Sequence, residues 1–262
     1  MTVKFYKYQG TGNDFIIIDN RNYHINKTQA TWVQRLCDRR FGIGADGLIL
    51  LNDKPSYDFE MVYFNSDGGE SSMCGNGGRC LIKFAHHLNI IGNQCSFVAI
   101  DGPHEGAILP DGGVSLKMKD VDSIEKHGDN FILNTGSPHY VIFADDVKSW
   151  PIVEQAKKIR YSEKFAKEGI NVNFAEQKSD GEIYVRTYER GVEDETLSCG
   201  TGVVASSLAF ASKNNLAVNK VQIETPGGKL EVKFEKAGNG FKNIYLVGPA
   251  ERVFEGEVEI EK

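Results

Sequence analysis

With 262 residues, 40% of them hydrophobic and 25% charged, the chain has the composition of an ordinary globular protein and length enough for two modest domains. A formal charge of −6 without a basic tract argues against a nucleic-acid partner, and no apolar run reaches the roughly 20 residues that span a bilayer. Five cysteines, at 37, 74, 80, 95 and 199, are odd in number and thinly spread, so a disulfide framework is not expected and the chain reads as a cytoplasmic protein with free thiols.

Val3 to Tyr8 reads as a strand, and the stretch Met1 to Gly10 alternates accordingly and does not look like a secretion signal. Gly10-Thr-Gly-Asn13-Asp14 is a turn leading to a second strand, Phe15 to Asp19. Thr28 to Arg40 is predicted helical, with Trp32, Val33, Leu36 and Cys37 on one stripe. A glycine-rich stretch from Gly42 to Gly47 precedes the apolar run Leu48 to Leu51, and Tyr57 to Phe64 reads as a strand delivering a polar turn at Asn65. Gly77 to Leu88 has helical spacing, with Leu81, Phe84, Ala85 and Leu88 on one face. Strands follow at Ser96 to Ile100, Glu105 to Leu109 and Val114 to Met118, with Asp111-Gly-Gly as a hairpin turn.

The second half repeats this order. Asn130 to Asn134 and Tyr140 to Phe143 read as strands, and Pro151 to Tyr161 as a helix opened by proline. Gly169 to Phe174 and Ile183 to Tyr188 are strands, the latter leading into the polar turn at Glu189-Arg190. Val203 to Ser212 is apolar or small nearly all round, the pattern of a buried helix. Strands at Val221 to Thr225, Lys229 to Phe234 and Asn243 to Val247 follow, and a last strand, Arg252 to Ile260, is free to return to the first half. The expectation is an α/β (α+β) chain of two pseudo-symmetric domains, each a mainly antiparallel sheet or barrel around a central helix, with the active site in the cleft between them. The first would cover 1–118, completed by 252–262, and the second 119–251.

The repeat is sharpest at two cysteines. Cys74-Gly-Asn-Gly77 and Cys199-Gly-Thr-Gly202 each open a helical stretch, and Asn65 and Arg190 each lie nine positions upstream of their cysteine (74 − 65 and 199 − 190). A thiol must ionise to act as a base, and a helix N-terminus favours the thiolate through its unpaired amides and dipole. The same amides hold a carboxylate, and small residues let it approach the backbone. Two such ends offer one thiolate to take an α-proton and one thiol to return a proton on the opposite face, which inverts a carbon without a cofactor. Glu189 suits an ammonium group and Arg190 a second carboxylate, while Asn13, Asn65 and Asn171 supply neutral hydrogen bonds.

Each feature alone has a plainer reading. A single Cys-Gly-X-Gly is more often a structural turn, Arg190 a surface arginine, Asn13 a turn former between glycines, and His139 a turn cap, with a base or an orienter as its alternatives. Cys37, Cys80 and Cys95 sit among apolar neighbours and read as inert core thiols. Gly42, Gly44 and Gly47 match no phosphate-binding pattern, and Cys74, Cys80, His86 and His87 lack metal-ligand spacing, so neither cofactor nor metal is expected.

Taken together the motifs resemble the diaminopimelate epimerase family. They are Gly10-Thr-Gly-Asn-Asp-Phe15, Gly42-Ile-Gly-Ala-Asp46, Phe64-Asn-Ser-Asp-Gly68, Met73-Cys-Gly-Asn-Gly-Gly-Arg-Cys80, Pro138-His139, Asn171-Val-Asn-Phe174, Tyr188-Glu-Arg-Gly191 and Cys199-Gly-Thr-Gly202, spread over nearly the whole chain. The resemblance implies cofactor-independent epimerisation of LL-diaminopimelate to the meso form, in lysine and peptidoglycan precursor synthesis, with Cys74 and Cys199 as acid and base. It implies that the amides of Gly75, Asn76, Gly200 and Thr201 hold the reacting carboxylate, that Glu189 meets the reacting amino group, and that Asn13, Asn65, Asn171 and Arg190 grip the distal L-centre. His139 is carried over as a further substrate-site residue, and domain closure and a homodimer are expected.

Three departures from the family pattern concern substrate contacts: Ser137 where many members have Asn, Gly47 where some have Gln, and a turn after Arg190 one residue longer than in many. The alternatives are a proline racemase-like enzyme, which Arg190 and the asparagines disfavour, a phenazine-biosynthesis isomerase, which lacks the cysteine pair, and a non-catalytic amino-acid binding protein.

Overall fold

The computed structural model describes residues 1–25, 30–214 and 219–260, which fall into two compact units, Met1–Leu116 with Gly248–Lys262 and Lys117–Val247. The first unit opens with β1 (Thr2–Gly10) and β2 (Asn13–Asp19), joined by a tight turn with Thr11 and Gly12 both at positive φ. Next come α1 (Ala30–Cys37), β3 (Gly47–Asn52) and β4 (Phe59–Asn65). The predicted start of the first helix, Thr28 and Gln29, lies outside the described residues. The chain goes on through β5 (Glu70–Ser71), α2 (Gly75–His87), β6 (Gln94–Ala99), β7 (Gly102–Ile108) and β8 (Val114–Lys117).

Pairing in this unit is mixed. β2 and β3 run parallel, as do β4 and β6, while β3–β4, β6–β7 and β7–β8 are antiparallel. The short strand β5 folds back on β4, so the polar turn after Asn65 is a hairpin, with Phe64 opposite Glu70. No alternation in Glu70-Ser71 announces it. Helix α2 is buried from Gly75 to Leu81 and packs on β1, β2, β3 and β7. Its opening, Gly-Asn-Gly-Gly, is poor helix sequence, each glycine costing about 1 kcal/mol against alanine. Packing explains it: a Cβ on Gly77 would sit 3.2 Å from Ile49 Cδ1 and 3.4 Å from Phe15 Cε1.

The second unit contains β9 (Glu125–His127), β10 (Asn130–Asn134), β11 (Pro138–Phe143), a 3-10 turn at Val147–Ser149, and α3 (Ile152–Arg160). Pro151 stands just outside α3, at its N-cap position. β12 (Asn171–Ser179), β13 (Glu182–Glu189), β14 (Asp194–Thr196) and α4 (Gly200–Lys213) follow, then β15 (Lys220–Thr225), β16 (Gly228–Ala237) and β17 (Gly240–Gly248). β11–β12 and β13–β15 are parallel and the hairpins antiparallel. Here too a short strand makes the polar turn a hairpin, with Glu189 opposite Asp194. Helix α4 is buried along its length to Ala211, Thr201 alone being half-buried, and packs on β10 to β13, β15 and β16.

The chain ends in β18 (Glu251–Glu259), which returns to the first unit and pairs antiparallel with β1 from Thr2–Glu259 to Gln9–Glu251. Among the described residues no helix is long and apolar enough to cross a membrane.

Candidate active site

In the first unit three strand ends lie side by side, and the first of them, at Asn13, reaches the start of α2. β2 begins at Asn13, β3 begins at Gly47 opposite Phe15, and β4 ends at Asn65 opposite Gly47. Cys74 is the extended residue immediately before α2, its carbonyl accepting the first helical hydrogen bond from Gly78 N–H at 2.7 Å. The amides of Gly75, Asn76 and Gly77 therefore belong to the first turn, which has no intrahelical acceptor to offer them. Cys74 Sγ donates to Asn13 Oδ1 at 3.7 Å, and Asn76 Nδ2 donates to the same oxygen at 3.3 Å. Asn13 Nδ2 donates to Asp46 Oδ2 at 2.6 Å.

Behind Asn13 lies an ionic cluster. Asp14 pairs with Lys7 Nζ at 2.8 Å and with Arg39 Nη2 at 2.7 Å, and Arg39 Nη2 also reaches Asp46 Oδ1 at 2.7 Å. Burial alone would push the Asp14 carboxyl up, but hydrogen bonds and charge from Arg39 and Lys7 outweigh it and hold the group at about 2. Arg79 of α2 is fully buried and donates to Gly75 O at 3.3 Å, to Thr11 Oγ1 at 3.2 Å and to Pro249 O at 3.4 Å. Burial lowers its pKa to about 10.

The second unit presents a similar arrangement at the start of α4. His139, Asn171 and Glu189 stand near one end of β11, β12 and β13, with His139 opposite Asn171 in the parallel register. Cys199 is the extended residue before α4, 6% exposed, and its carbonyl accepts from Val203 N–H at 2.8 Å. Cys199 Sγ lies 3.5 Å from Thr201 Oγ1, which lies 2.9 Å from His139 Nε2.

The direction of this chain can be assigned. Asn173 Nδ2 donates to the carbonyl of Tyr140 at 3.3 Å, which fixes its amide, and the same nitrogen lies 3.1 Å from His139 Nδ1. The buried imidazole is held neutral, its pKa lowered to about 3 by burial. His139 thus accepts at Nδ1, carries its proton on Nε2 and donates to Thr201 Oγ1, leaving the threonine hydroxyl hydrogen for Cys199 Sγ.

The Glu189-Arg190 turn is clamped from three sides. Asn171 Oδ1 accepts from Arg190 N–H at 2.8 Å, while Asn171 Nδ2 donates to Ser137 Oγ at 2.8 Å and to Pro138 O at 3.0 Å. Arg190 Nη1 donates to Glu168 O at 2.9 Å, and Glu189 Oε2 accepts from Thr196 Oγ1 at 3.0 Å. The carboxylate of Glu193 accepts from Arg160, Tyr161, Tyr188 and the Gly191 amide.

The family model for diaminopimelate epimerase matches residues 5–123 and 131–253. The chain belongs to the diaminopimelate epimerase family. It is 53% identical over 253 residues to a diaminopimelate epimerase of Flavobacterium psychrophilum, covering 97% of this chain and 99% of that protein. The fold extends further. A phenazine biosynthesis protein of the PhzF family from Bacillus anthracis matches with a TM-score of 0.80 at 14% identity, covering 99% of this chain and 100% of that one. A hydroxyproline epimerase from Agrobacterium vitis matches with a TM-score of 0.70 at 14% identity, covering 98% and 92%. At such identity these two likenesses concern the fold alone.

The motif residues quoted for the family thus gather into two sets. Cys74, Gly75, Asn76 and Asn13 are together at α2, with Asn65 at the adjoining strand end. Cys199, Gly200, Thr201 and His139 are together at α4, beside Asn171, Glu189 and Arg190. His139 is part of β11 and fully buried, so the turn-cap reading of this residue is wrong. Cys37, Cys80 and Cys95 are buried, and burial pushes each thiol up to about 12.

The departures from the family pattern also acquire reasons. A side chain at Gly47 has no room, since its Cβ would lie 2.6 Å from the Tyr63 ring and 2.6 Å from Phe64 O. Ser137 is a support for Asn171, and Glu193 anchors the turn after Arg190. Sequence reasoning missed Asp46, Asn173 and Glu193; the available signal was a polar side chain inside a quoted motif or beside an apolar strand.

Proposed function

We propose that the chain inverts one α-carbon of diaminopimelate by a two-base mechanism in which Cys74 and Cys199 exchange roles. Epimerisation of diaminopimelate, in lysine and peptidoglycan precursor synthesis, is its reaction. The observation that carries the two-thiol reading is that each cysteine is the residue before a buried helix opening on Gly-X-Gly. A thiolate there removes the α-proton, the electron pair delocalises toward the carboxylate, and the second thiol delivers its proton to the opposite face. After one turnover the thiol and thiolate have changed places. The amides of Gly75, Asn76, Gly200 and Thr201 take the reacting carboxylate and stabilise the charge gathering there.

In the same reading Glu189 meets the reacting ammonium, and Arg190 with Asn65 and Asn171 grips the distal amino-acid centre. Asn13 belongs to this group by its motif, although its oxygen is engaged by Cys74 and Asn76. His139 acts through Thr201, whose hydroxyl hydrogen bond favours the Cys199 thiolate. Carbanion stabilisation by amides and paired thiols requires no organic cofactor or metal. The reading takes the two halves, 1–118 with 252–262 and 119–251, as pseudo-symmetric epimerase domains that supply one thiol each, in a cytoplasmic homodimer.

Incubation of freshly reduced protein with LL-diaminopimelate in heavy water tests this. The expected result is meso product carrying deuterium at the inverted carbon, with turnover nearly abolished in Cys74→Ser and Cys199→Ser. Neither inversion nor deuterium uptake by the unmodified protein would defeat the proposal.

A further inference from the structure

Asn13 stands between a carboxylate and a thiol, and the two ends of its amide are chemically distinct. An ionised carboxylate only accepts hydrogen bonds, so the group facing Asp46 Oδ2 at 2.6 Å must be the Asn13 amino group. Asn13 Oδ1 is thereby turned toward Cys74 Sγ and Asn76 Nδ2. Asp46 is itself held: Arg39 Nη2 binds its other oxygen at 2.7 Å, its N–H donates to Asp14 O at 3.0 Å, and its carbonyl accepts from Ser66 N–H at 3.1 Å. The amide is thus oriented by an ionic cluster that includes Lys7, Asp14 and Arg39.

We propose that Asp46 is a positioning residue that locks the Asn13 carbonyl toward Cys74, so that the protonated thiol is the form of Cys74 that this neighbour stabilises. The consequence is an asymmetry between the two cysteines. Cys199 receives a hydrogen bond from Thr201, which favours thiolate, whereas Cys74 donates one to Asn13, which favours thiol. A two-base inversion needs one base and one acid at the start, and these hydrogen bonds make Cys199 the resting base and Cys74 the resting acid. The inference rests on the two-thiol reading.

Other charges in the same unit act on Cys74. Arg79 and the α2 amides favour thiolate. The neighbouring thiol Cys80 stays neutral, pushed up to about 12 by burial. Asp101 Oδ1 accepts from Met73 N–H at 3.2 Å and pairs with His104, and Asp14 and Asp46 stand behind Asn13 with Lys7 and Arg39. Because Asp46 carries charge, removing it lowers the Cys74 pKa by two routes, directly and through Asn13. A double-mutant cycle separates them.

The readout is the pH dependence of iodoacetamide alkylation of Cys74 in a Cys199→Ser background, where Cys37, Cys80 and Cys95 are silent. Asp46→Ala and Asn13→Ala are each expected to lower the thiol pKa by about one unit. Adding Asp46→Ala to Asn13→Ala should shift it little further. An undiminished Asp46→Ala shift in the Asn13→Ala background, or no shift in either single variant, overturns the proposal. Should Asp46→Ala fail to fold, Asp46→Leu, which likewise offers Asn13 no acceptor, takes its place in the cycle, and Asn13→Ala alone still decides whether the carbonyl acts on the thiol. Full turnover by Cys74→Ser would instead reject the two-thiol reading while leaving this titration interpretable.

Discussion

His139 shows how one buried side chain can set a pH response. Its ordinary pKa near 6.5 falls to about 3 in the fold because burial excludes the charged form. The unfolded chain therefore binds a proton that the folded chain refuses. The sign follows: stability is complete above pH 6.5 and is lost as pH falls below it, by up to about 1.4 kcal/mol per pH unit. Chemical denaturation at pH 7 and pH 5 should reveal this loss in the unmodified protein and a smaller one in His139→Gln.

Asp14 acts in a lower window. Held at about 2 against an ordinary 3.8, it contributes stability above pH 4 that disappears as pH falls toward 2. The difference corresponds to about 2 kcal/mol. Asp14→Asn should lower the melting temperature at neutral pH and flatten its decline between pH 4 and pH 2.

At the scale of elements, the helix starts and the hairpins before them matter most. Gly202 lies in the first turn of α4, directly against the Asn173 side-chain oxygen and 3.2 Å, measured from a built Cβ, from Thr187 Oγ1. Gly202→Ala drives a methyl into the amide that orients His139. The expected cost is about 1–3 kcal/mol of stability, accompanied by lower kcat, measured by thermal melts and steady-state turnover.

The hairpin between β13 and β14 depends on Glu193, which has a left-handed φ of 58° and ties the turn to the end of α3 through Arg160 Nη2 at 3.0 Å and Tyr161 OH at 3.0 Å. Glu193→Ala releases these donors at a cost of about 2 kcal/mol. If the turn presents Glu189 and Arg190 to substrate, KM should rise more than kcat falls. An unchanged KM in correctly folded protein would restrict Glu193 to a structural role.

For the whole molecule, chain order and spatial order differ at the end. β18 is the last strand in sequence, but its partner is β1, and Met1 N donates to Ile260 O at 2.6 Å. Ending the chain at Ala250 would leave the β1 edge unpaired, and exposed edge strands template aggregation. Such a truncation should be insoluble or lose cooperative unfolding, as judged by size-exclusion chromatography and circular dichroism. Retention of a cooperative melt would mean that β18 is dispensable to the first unit.

Periodicity identified α2 and most of the strands, because a buried helix face and an alternating strand impose their repeats on local sequence, and α4 was legible as a run apolar or small on nearly every face, the mark of a buried helix. Local sequence also placed Cys74 and Cys199 at helix starts, since glycine-rich runs before such helical stretches mark their starts. The two-residue β5 and three-residue β14 were illegible, being too short and polar to carry a pattern. Parallel neighbours such as β2–β3 and β11–β12 were equally hidden, because pairing between distant segments leaves no local repeat. Only the tertiary structure revealed that Asp46 faces Asn13, that Asn173 orients His139 and that Tyr63 fills the space above Gly47. Those relations are decided by which side chains meet across strands, and a hydrogen bond's direction depends on the partner it meets rather than on the residue's place in the chain.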